Sequence, residues 1–430
     1  MAGMNETPSG ERTCVGFFGV RNVGKSSLVN AVTGQDLSVV SDVRGTTTDT
    51  VRKAMEILPL GPVVIVDTPG IDDEGALGEE RVRRAKEALR GCNVAVLVID
   101  AAVGPQQADR DLMAVFKAQE IPCIMAANKS DLVSSEATLQ ATATTPAAET
   151  PYGRASDSPF AQSAKASGNH AERIASIVNV SAKTGAGVDA LKEEIARVAR
   201  VAQAAQERPL VRDLLAPGDT LVMVIPIDSS APKGRIILPQ QMVMRDALDA
   251  HATCVACQPS ELSQTLAAQS TSPRLVVTDS QAFEQVAQIV PREVSLTSFS
   301  ILMARYKGEL AQLVEGARAL DAVTDGTRIL MAEGCSHHRQ CEDIGTVKLP
   351  AWIRKHSGAN PTFTTVSGRE FPEDLSDIDL VVHCGGCTLN PKEMKVRQAM
   401  ASAQETPIVN YGVAIAHMHG ILARALEPLA

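Results

Sequence analysis

Between Thr13 and about Ala199, short runs rich in β-branched residues alternate with amphipathic stretches, and this alternation constrains the fold more than any other feature of the chain. Strands buried on both faces read as apolar runs, and each parallel neighbour needs a crossover, usually a helix, so the pattern predicts a parallel sheet covered by helices. Strands are expected at Cys14 to Gly19, Val51 to Leu58, Val63 to Asp67, Val94 to Asp100, Cys123 to Asn128 and Ile177 to Ser181. Pro59-Leu60-Gly61-Pro62 reads as a tight turn, which makes the pair it joins antiparallel. Residues 134–172, rich in Ala, Thr, Ser and Pro without an apolar period, read as a surface insertion.

The same rhythm resumes after Arg208-Pro209. Strands at Leu221 to Ile227, Thr253 to Cys257 and Leu275 to Val277 form a middle block ending near Val294. A third block holds a helix around Ser298 to Ala317 and strands at Arg328 to Ala332, Thr362 to Val366, Leu380 to Val382 and Pro407 to Val409, with Asn390-Pro391 as the N-cap and first residue of a further helix. A chain of 430 residues exceeds one ordinary core. The expected class is α/β with three βα-type domains, at 12–205, 210–294 and 295–430, the last with an open parallel sheet.

Charge and composition remove several functions. Lys+Arg 41 against Asp+Glu 50 gives a net charge of -9, which argues against a broad grip on a nucleic-acid backbone, and 3% aromatic residues leave few stacking platforms for bases. The stretch Val94 to Val103 is interrupted by Asp100 and is too short to span a bilayer, and Met1 to Arg12 is polar, so a cytoplasmic protein without membrane or nucleic-acid partners is expected. Nine cysteines, an odd number in a reducing compartment, are then buried thiols or ligands rather than a disulfide framework.

Gly19-Val20-Arg21-Asn22-Val23-Gly24-Lys25-Ser26 follows a strand and opens a helix from Ser27 to Thr33, which is the context a P-loop needs. Its glycines, Gly19 and Gly24, let backbone amides converge on phosphates, with Ser27 at the helix start adding positive potential. Lys25 would reach the β and γ oxygens, and Ser26 would ligate Mg2+. Asp67-Thr68-Pro69-Gly70 ends another strand and offers an outer-sphere Mg2+ carboxylate, Asp67, and an amide for the γ-phosphate, Gly70. Asn128-Lys129-Ser130-Asp131 ends a third. A carboxylate at Asp131 accepts from both N–H groups of guanine, which adenine lacks. Ser181-Ala182-Lys183 ends the last strand and can bring a backbone amide to guanine O6. Four such pieces in order at strand ends predict a GTP site.

This block resembles the translation-factor-like small GTPases, and within them the potassium-activated branch. Asn22 occupies the position of that branch's potassium-coordinating asparagine, and Gly45-Thr46-Thr47-Thr48-Asp49 resembles its switch I, with Thr47 as the expected Mg2+ ligand. The resemblance implies a K+ ion against the phosphates and a catalytic set of Lys25, Thr47 and Asn22. Ile71 stands where Ras-like enzymes carry a water-orienting Gln, so hydrolysis is expected to be slow without K+ or a partner. The basic stretch Glu79 to Arg90 reads as a solvated helix face.

Cys335-Ser336-His337 and His383-Cys384-Gly385-Gly386-Cys387 each lie just past a strand of the third block, where open parallel sheets bind ligands. Cys335, Cys384 and Cys387, with His337 or His383 as a candidate fourth ligand, could converge on one inorganic centre. Thiolate-rich ligation suits an iron-sulfur cluster or zinc, and inert buried thiols are the third reading; three cysteines with an uncertain fourth position favour a 4Fe-4S cluster. Cys254 and Cys257 lie three apart on an expected strand and so face opposite ways. His417 and His419 splay on a helix and are not expected to share a metal. Cys14, Cys92 and Cys123 fall in or beside strands as buried thiols.

The spacing C-x-H, a gap from His338 to Val382, then H-C-x-x-C is similar to that of the FeFe-hydrogenase maturation GTPases, the HydF family. Val224-Ile225-Pro226-Ile227-Asp228, Val277-Thr278-Asp279-Ser280-Gln281-Ala282-Phe283, Leu296-Thr297-Ser298-Phe299-Ser300 and Val409-Asn410-Tyr411-Gly412 resemble the same family. The resemblance implies an N-terminal K+-activated GTPase, a middle dimerisation domain and a C-terminal cluster domain in which Cys335, Cys384 and Cys387 hold a 4Fe-4S cluster. It further implies a homodimeric scaffold that carries a transient two-iron precursor, works with radical-SAM maturases and delivers to apo-FeFe-hydrogenase. Two rival readings are a GTPase of tRNA modification or ribosome assembly with a zinc-stabilised C-terminal domain, and a non-enzymatic scaffold for which GTP is a structural ligand.

Overall fold

The computed structural model describes residues 9–34, 51–68, 86–133, 176–204, 208–227, 236–334, 344–368 and 370–429. The expected insertion at 134–172, switch I with Thr46 and Thr47, Gly70, Ile71, Cys335, His337 and Cys341 lie outside the described residues. The chain divides into two compact units, Met1–Glu207 and Arg208–Ala430.

The first unit is a six-stranded sheet in the order β2-β3-β1-β4-β5-β6. Its strands are β1 (Thr13–Phe18), β2 (Val51–Ile57), β3 (Gly61–Asp67), β4 (Val94–Asp100), β5 (Cys123–Asn128) and β6 (Ile177–Asn179). Every pairing is parallel except β2 with β3, which run antiparallel through the expected turn, where Gly61 takes φ 91. Period-two alternation sorts β1 between two cores. Val15 and Phe17 pack with Leu28 and Val29 of the helix Lys25–Thr33 and with Leu191 and Ile195 of the helix Val188–Ala204. Cys14 and Phe18 face the other way, toward Leu112 and Phe116 of the helix Gln107–Ala118. Each such fully buried side chain contributes about 1.5–3 kcal/mol. Cys14, Cys92 and Cys123 are buried in this second core, and burial pushes the Cys123 thiol up to about 12, so these are inert thiols.

The second unit holds two four-stranded parallel sheets. The middle sheet has the order β10-β9-β7-β8, from β7 (Thr220–Val224), β8 (Thr253–Cys257), β9 (Leu275–Thr278) and β10 (Ser295–Ser298). Because β10 hydrogen-bonds to β9, this sheet runs past the boundary expected at residue 294. The last sheet has the order β12-β11-β13-β14, from β11 (Arg328–Ala332), β12 (Thr362–Val366), β13 (Leu380–His383) and β14 (Ile408–Asn410). One hydrophobic core joins Val222, Val276 and Leu296 of the middle sheet to Ile329, Leu330 and Val381 of the last.

The single helix expected from Ser298 to Ala317 is two, Phe299–Lys307 and Leu310–Ala317. Gly308 breaks it with an extended backbone, and distant side chains meet the exposed peptide groups: Arg208 Nη1 donates to Gly308 O at 2.9 Å and the Glu309 amide to Gln398 Oε1 at 2.9 Å. Among the described residues no helix is long and apolar enough to cross a membrane.

Candidate functional site

In the first unit the chain leaves β1 toward β3 and leaves β4 toward β5, so the order reverses between β1 and β4. The crevice at the carboxyl ends of such a pair is the ligand site of open α/β sheets. The loop 19–24 lies there. Gly19 takes φ 149, and a Cβ on it would stand 2.3 Å from Val98 O; Gly24 takes φ 86 as N-cap of the helix, and a Cβ would stand 2.4 Å from Asn128 Nδ2. Only glycine fits either position. Asn22 is exposed with φ 66, and Ser26 and Ser27 are exposed in the first turn of the helix.

Lys25 is buried, and its Nζ donates to Thr68 O at 2.8 Å. The Thr68 hydroxyl in turn donates to Phe17 O at 3.0 Å, tying the end of β3 to β1. Asp67 Oδ1, at the end of β3, is buried with no hydrogen-bond partner among the described residues. A buried carboxylate oxygen left in this state is costly, and a hydrated Mg2+ beside it fits both its charge and its position.

Asn128 binds three loops together. Its Nδ2 donates to Val23 O at 2.9 Å, and its Oδ1 accepts from the Ala182 amide at 3.0 Å. Ser181 Oγ donates to Asp131 Oδ1 at 2.6 Å and also accepts from the Thr184 amide at 3.2 Å. Lys129, at φ 62, places its Nζ 2.8 Å from Asp100 Oδ2. Lys183 is exposed. The structure thus brings the P-loop, the Asn-Lys-Ser-Asp segment and the Ser-Ala-Lys segment to one crevice. The tie through Asn128 was not foreseen from sequence; its one signal is an amide at the end of an otherwise apolar strand.

The last sheet repeats the topology. Its order reverses between β11 and β13, and Gly334 and Cys384 follow those two strands. The Cys384 amide donates to Ala332 O at 2.9 Å, and the amides of Gly334 and Gly386 donate to Cys384 Sγ at 2.9 and 3.3 Å. Burial pushes the Cys384 thiol up, while these amides and the charge of Arg397 act in the opposite direction. That donor set fits a thiolate-bound metal centre. Cys387 is partly buried in the same loop, and Cys335 follows directly on Gly334. Asn390 caps the helix Pro391–Ala403 as expected, its side chain accepting from the Glu393 amide at 2.9 Å.

His383 is fully buried at the end of β13. Its Nδ1 lies 2.6 Å from Cys384 O and its Nε2 3.0 Å from Arg397 Nη1, so the ring donates from Nδ1 and accepts at Nε2. Burial and then the Arg397 charge push it down to about 3. Both ring nitrogens are thus engaged in hydrogen bonds in this arrangement, one to the backbone and one to Arg397.

Residues 210–308 match the family model for the hydrogen maturase F dimerization domain, and 311–428 match that for the hydrogen maturase F tetramerization domain, together about half of the chain. The chain belongs to the hydrogen maturase F family. Residues 14–129 match the model of the 50S ribosome-binding GTPase domain. Curated relatives include the tRNA modification GTPase MnmE of Methylococcus capsulatus, 34% identical over 177 residues, which covers 41% of this chain and 32% of the relative. GTPase Der of Wolinella succinogenes is 34% identical over 200 residues, covering 45% and 37%. The chain therefore spans about a third of the length of these relatives. Among solved structures, Aquifex aeolicus Era bound to GDP.AlF4- aligns at 21% identity and a TM-score of 0.32 over 57% of this chain and 92% of that one.

In this hydrogen maturase F chain two buried cations support the cysteine loop, and neither was singled out in the sequence. Lys307 Nζ donates to Gly386 O at 2.7 Å, Cys387 O at 3.2 Å and Leu389 O at 2.8 Å. Arg397 holds His383, donates through Nη2 to Gly368 O at 2.9 Å and lies 5.2 Å from the centre of the Phe371 ring. The available signal was weak: one lysine closing an apolar helix and one arginine within a polar helix that has no marked apolar face.

Proposed function

We propose that the chain is a K+-activated GTPase and scaffold of FeFe-hydrogenase maturation, which holds a 4Fe-4S cluster and delivers a two-iron precursor to apo-hydrogenase. The observation that carries this reading is Cys384, a sulfur that accepts two backbone amides where the order of a parallel sheet reverses. In this reading Cys335, Cys384 and Cys387 hold the cluster and leave one iron open to the precursor. His383 serves as a neutral strut behind Cys384, and the fourth position falls to His337 or to an exogenous ligand.

At the other site, Lys25 neutralises charge on the β and γ oxygens. Ser26, Thr47 and Asp67 would hold Mg2+, and Asn22 would hold K+. When bound, the two cations supply positive charge at the transferring phosphoryl group. The protein's own part is positioning: Asp131, oriented by Ser181, reads the guanine edge, and Asn128 keeps that edge in register with the P-loop. Homodimers and the radical-SAM maturases complete the expected partners.

The test is anaerobic iron and sulfide analysis with EPR of the reduced protein, beside GTP hydrolysis in KCl and in NaCl. Wild type should hold about four irons per chain. Cys384→Ala should lose them while hydrolysing GTP at the wild-type rate; undiminished iron would overturn the ligand assignment. Equal rates of phosphate release in the two salts would overturn the role of Asn22.

A further inference from the structure

Three elements of the last sheet end together at its amino edge, the edge opposite the cysteine loop. The 3-10 turn Arg318–Ala322 feeds β11, and the helix Leu349–Ser357 feeds β12. The helix Tyr411–Met418 starts at the carboxyl end of β14 and runs back about 12 Å. Each presents one metal-ligating side chain: Asp321, His356 and His417. His356 Nε2 is 2.8 Å from Asp321 Oδ1, and His417 Nε2 is 3.0 Å from each Asp321 oxygen. The two rings meet edge to face with centroids 5.9 Å apart, and the three ligand atoms all lie within 4.8 Å of one another.

Two features make this more than a surface contact. Each histidine sits in the last turn of its helix, where the outward carbonyls favour a cation, so two helix ends and one carboxylate supply negative potential at one point. The side chains are also held: those of His356 and His417 are only 25% and 20% exposed, while Asp321 at 56% keeps one side open to water. The spacing suits an ion. Bonds of about 2.0–2.1 Å to imidazole and carboxylate, meeting between a right angle and the tetrahedral angle, put ligand atoms about 2.9–3.4 Å apart. The two Asp321–histidine separations, 2.8 and 3.0 Å, lie at or within a tenth of an ångström of that range, and the two imidazole nitrogens, within 4.8 Å of one another, need only rotate toward a common centre. His419 takes no part: its Nδ1 is 3.3 Å from Glu284, and its ring meets Trp352.

We propose that Asp321, His356 and His417 form a second metal site that binds one divalent ion of zinc type through a carboxylate oxygen and two imidazole Nε2 atoms, with water in the open positions. Nitrogen and oxygen ligands with open positions select zinc-like ions, whereas the thiolates across the sheet select a cluster, so the two sites take different metals. Binding would clamp the last turns of two helices to the segment that feeds β11.

The experiment is Zn2+ equilibrium dialysis of the full-length protein and of Asp321→Asn and His356→Gln/His417→Gln, repeated with Co2+ as a spectroscopic probe. Wild type should bind one more Zn2+ per chain than the double variant, and Asp321→Asn should weaken that equivalent at least about tenfold. The Co2+ difference spectrum, wild type minus variant, should show d–d bands without thiolate-to-cobalt charge transfer. Equal zinc stoichiometry and affinity in all three proteins would overturn the proposal, as would charge-transfer intensity in the difference spectrum, which would assign the lost ion to cysteine. If the double variant fails to fold by circular dichroism, the isosteric change at exposed Asp321 decides alone.

Discussion

Lys307 is the residue through which the fold grips its cysteine loop. Its side chain is 2% exposed, and its ammonium donates to three carbonyls within residues 386–389. Lys307→Met keeps the shape of the side chain and removes the charge and all three donors. Hydrogen bonds from a charged donor contribute about 1.5–3 kcal/mol each. Gly386 O retains the Leu389 amide at 3.0 Å, so the loss falls mainly on the other two carbonyls, and relief of the buried ammonium's desolvation offsets part of it. The balance is a loss of about 2–4 kcal/mol from the second unit. The protein's one tryptophan, Trp352, lies in that unit and reports its unfolding by fluorescence. With a urea dependence of about 2–3 kcal/mol per molar, the midpoint should fall by about 1 M. The loop loosens in the same step, so iron acquired by anaerobic reconstitution should be lost faster on gel filtration, with GTP hydrolysis unchanged. An unchanged midpoint together with wild-type iron retention refutes the argument.

Asp131→Asn exchanges an acceptor for a donor at the guanine edge, so GTP affinity should fall about a hundredfold or more and xanthine nucleotides should bind in its place; undiminished binding of a fluorescent GTP analogue contradicts the assignment. His383 adds a pH dependence to the metal-free protein. It stays neutral in the folded state down to about 3, while in the unfolded chain it ionises near 6.5. The unfolded state therefore binds the extra proton in this window, and stability should fall as pH drops below 6.5, by about 1.4 kcal/mol per pH unit. His383→Gln can keep both hydrogen bonds without titrating, so the unfolding free energy lost between pH 7 and pH 5.5, read from urea curves, should be smaller in this variant than in wild type by about 1.3 kcal/mol; an equal loss in both rules the effect out.

What the sequence made legible was local. Apolar runs located β1, β4 and β5, because a strand covered on both faces has no polar positions to blur its limits. The Asn390-Pro391 cap and the Pro-Leu-Gly-Pro turn were legible because each is decided within four residues. What stayed hidden depended on contacts far along the chain. Lys307 meets carbonyls 79 to 82 positions away, and in sequence it passes for a basic residue complementing a helix end. His383 read as a ligand because it adjoins Cys384, and only the arrival of Arg397 from the following helix shows its Nε2 engaged in a hydrogen bond. The Asp321 cluster joins residues 35 and 96 apart, beyond the reach of any local spacing rule.

The two C-x-x-C pairs show how conformation, rather than spacing, decides such a site. Cys254 and Cys257 sit on β8, where the pleat sends them to opposite faces: Cys254 packs toward Val243 and Met223, and Cys257 toward the core that joins the two sheets. Burial pushes both thiols up, and no shared centre can form between them without unpairing the strand. Cys384 and Cys387 have the same spacing but follow the end of β13, and the two residues between them are glycines. Gly386 takes φ 59, and a Cβ there would stand 2.6 Å from Met394 Sδ. A side chain at this position would strain the left-handed backbone from which the Gly386 amide reaches Cys384 Sγ, and would displace the Met394 thioether. Gly386, rather than the spacing, therefore separates this pair from the one on β8: its left-handed backbone turns the chain so that its own amide meets Cys384 Sγ.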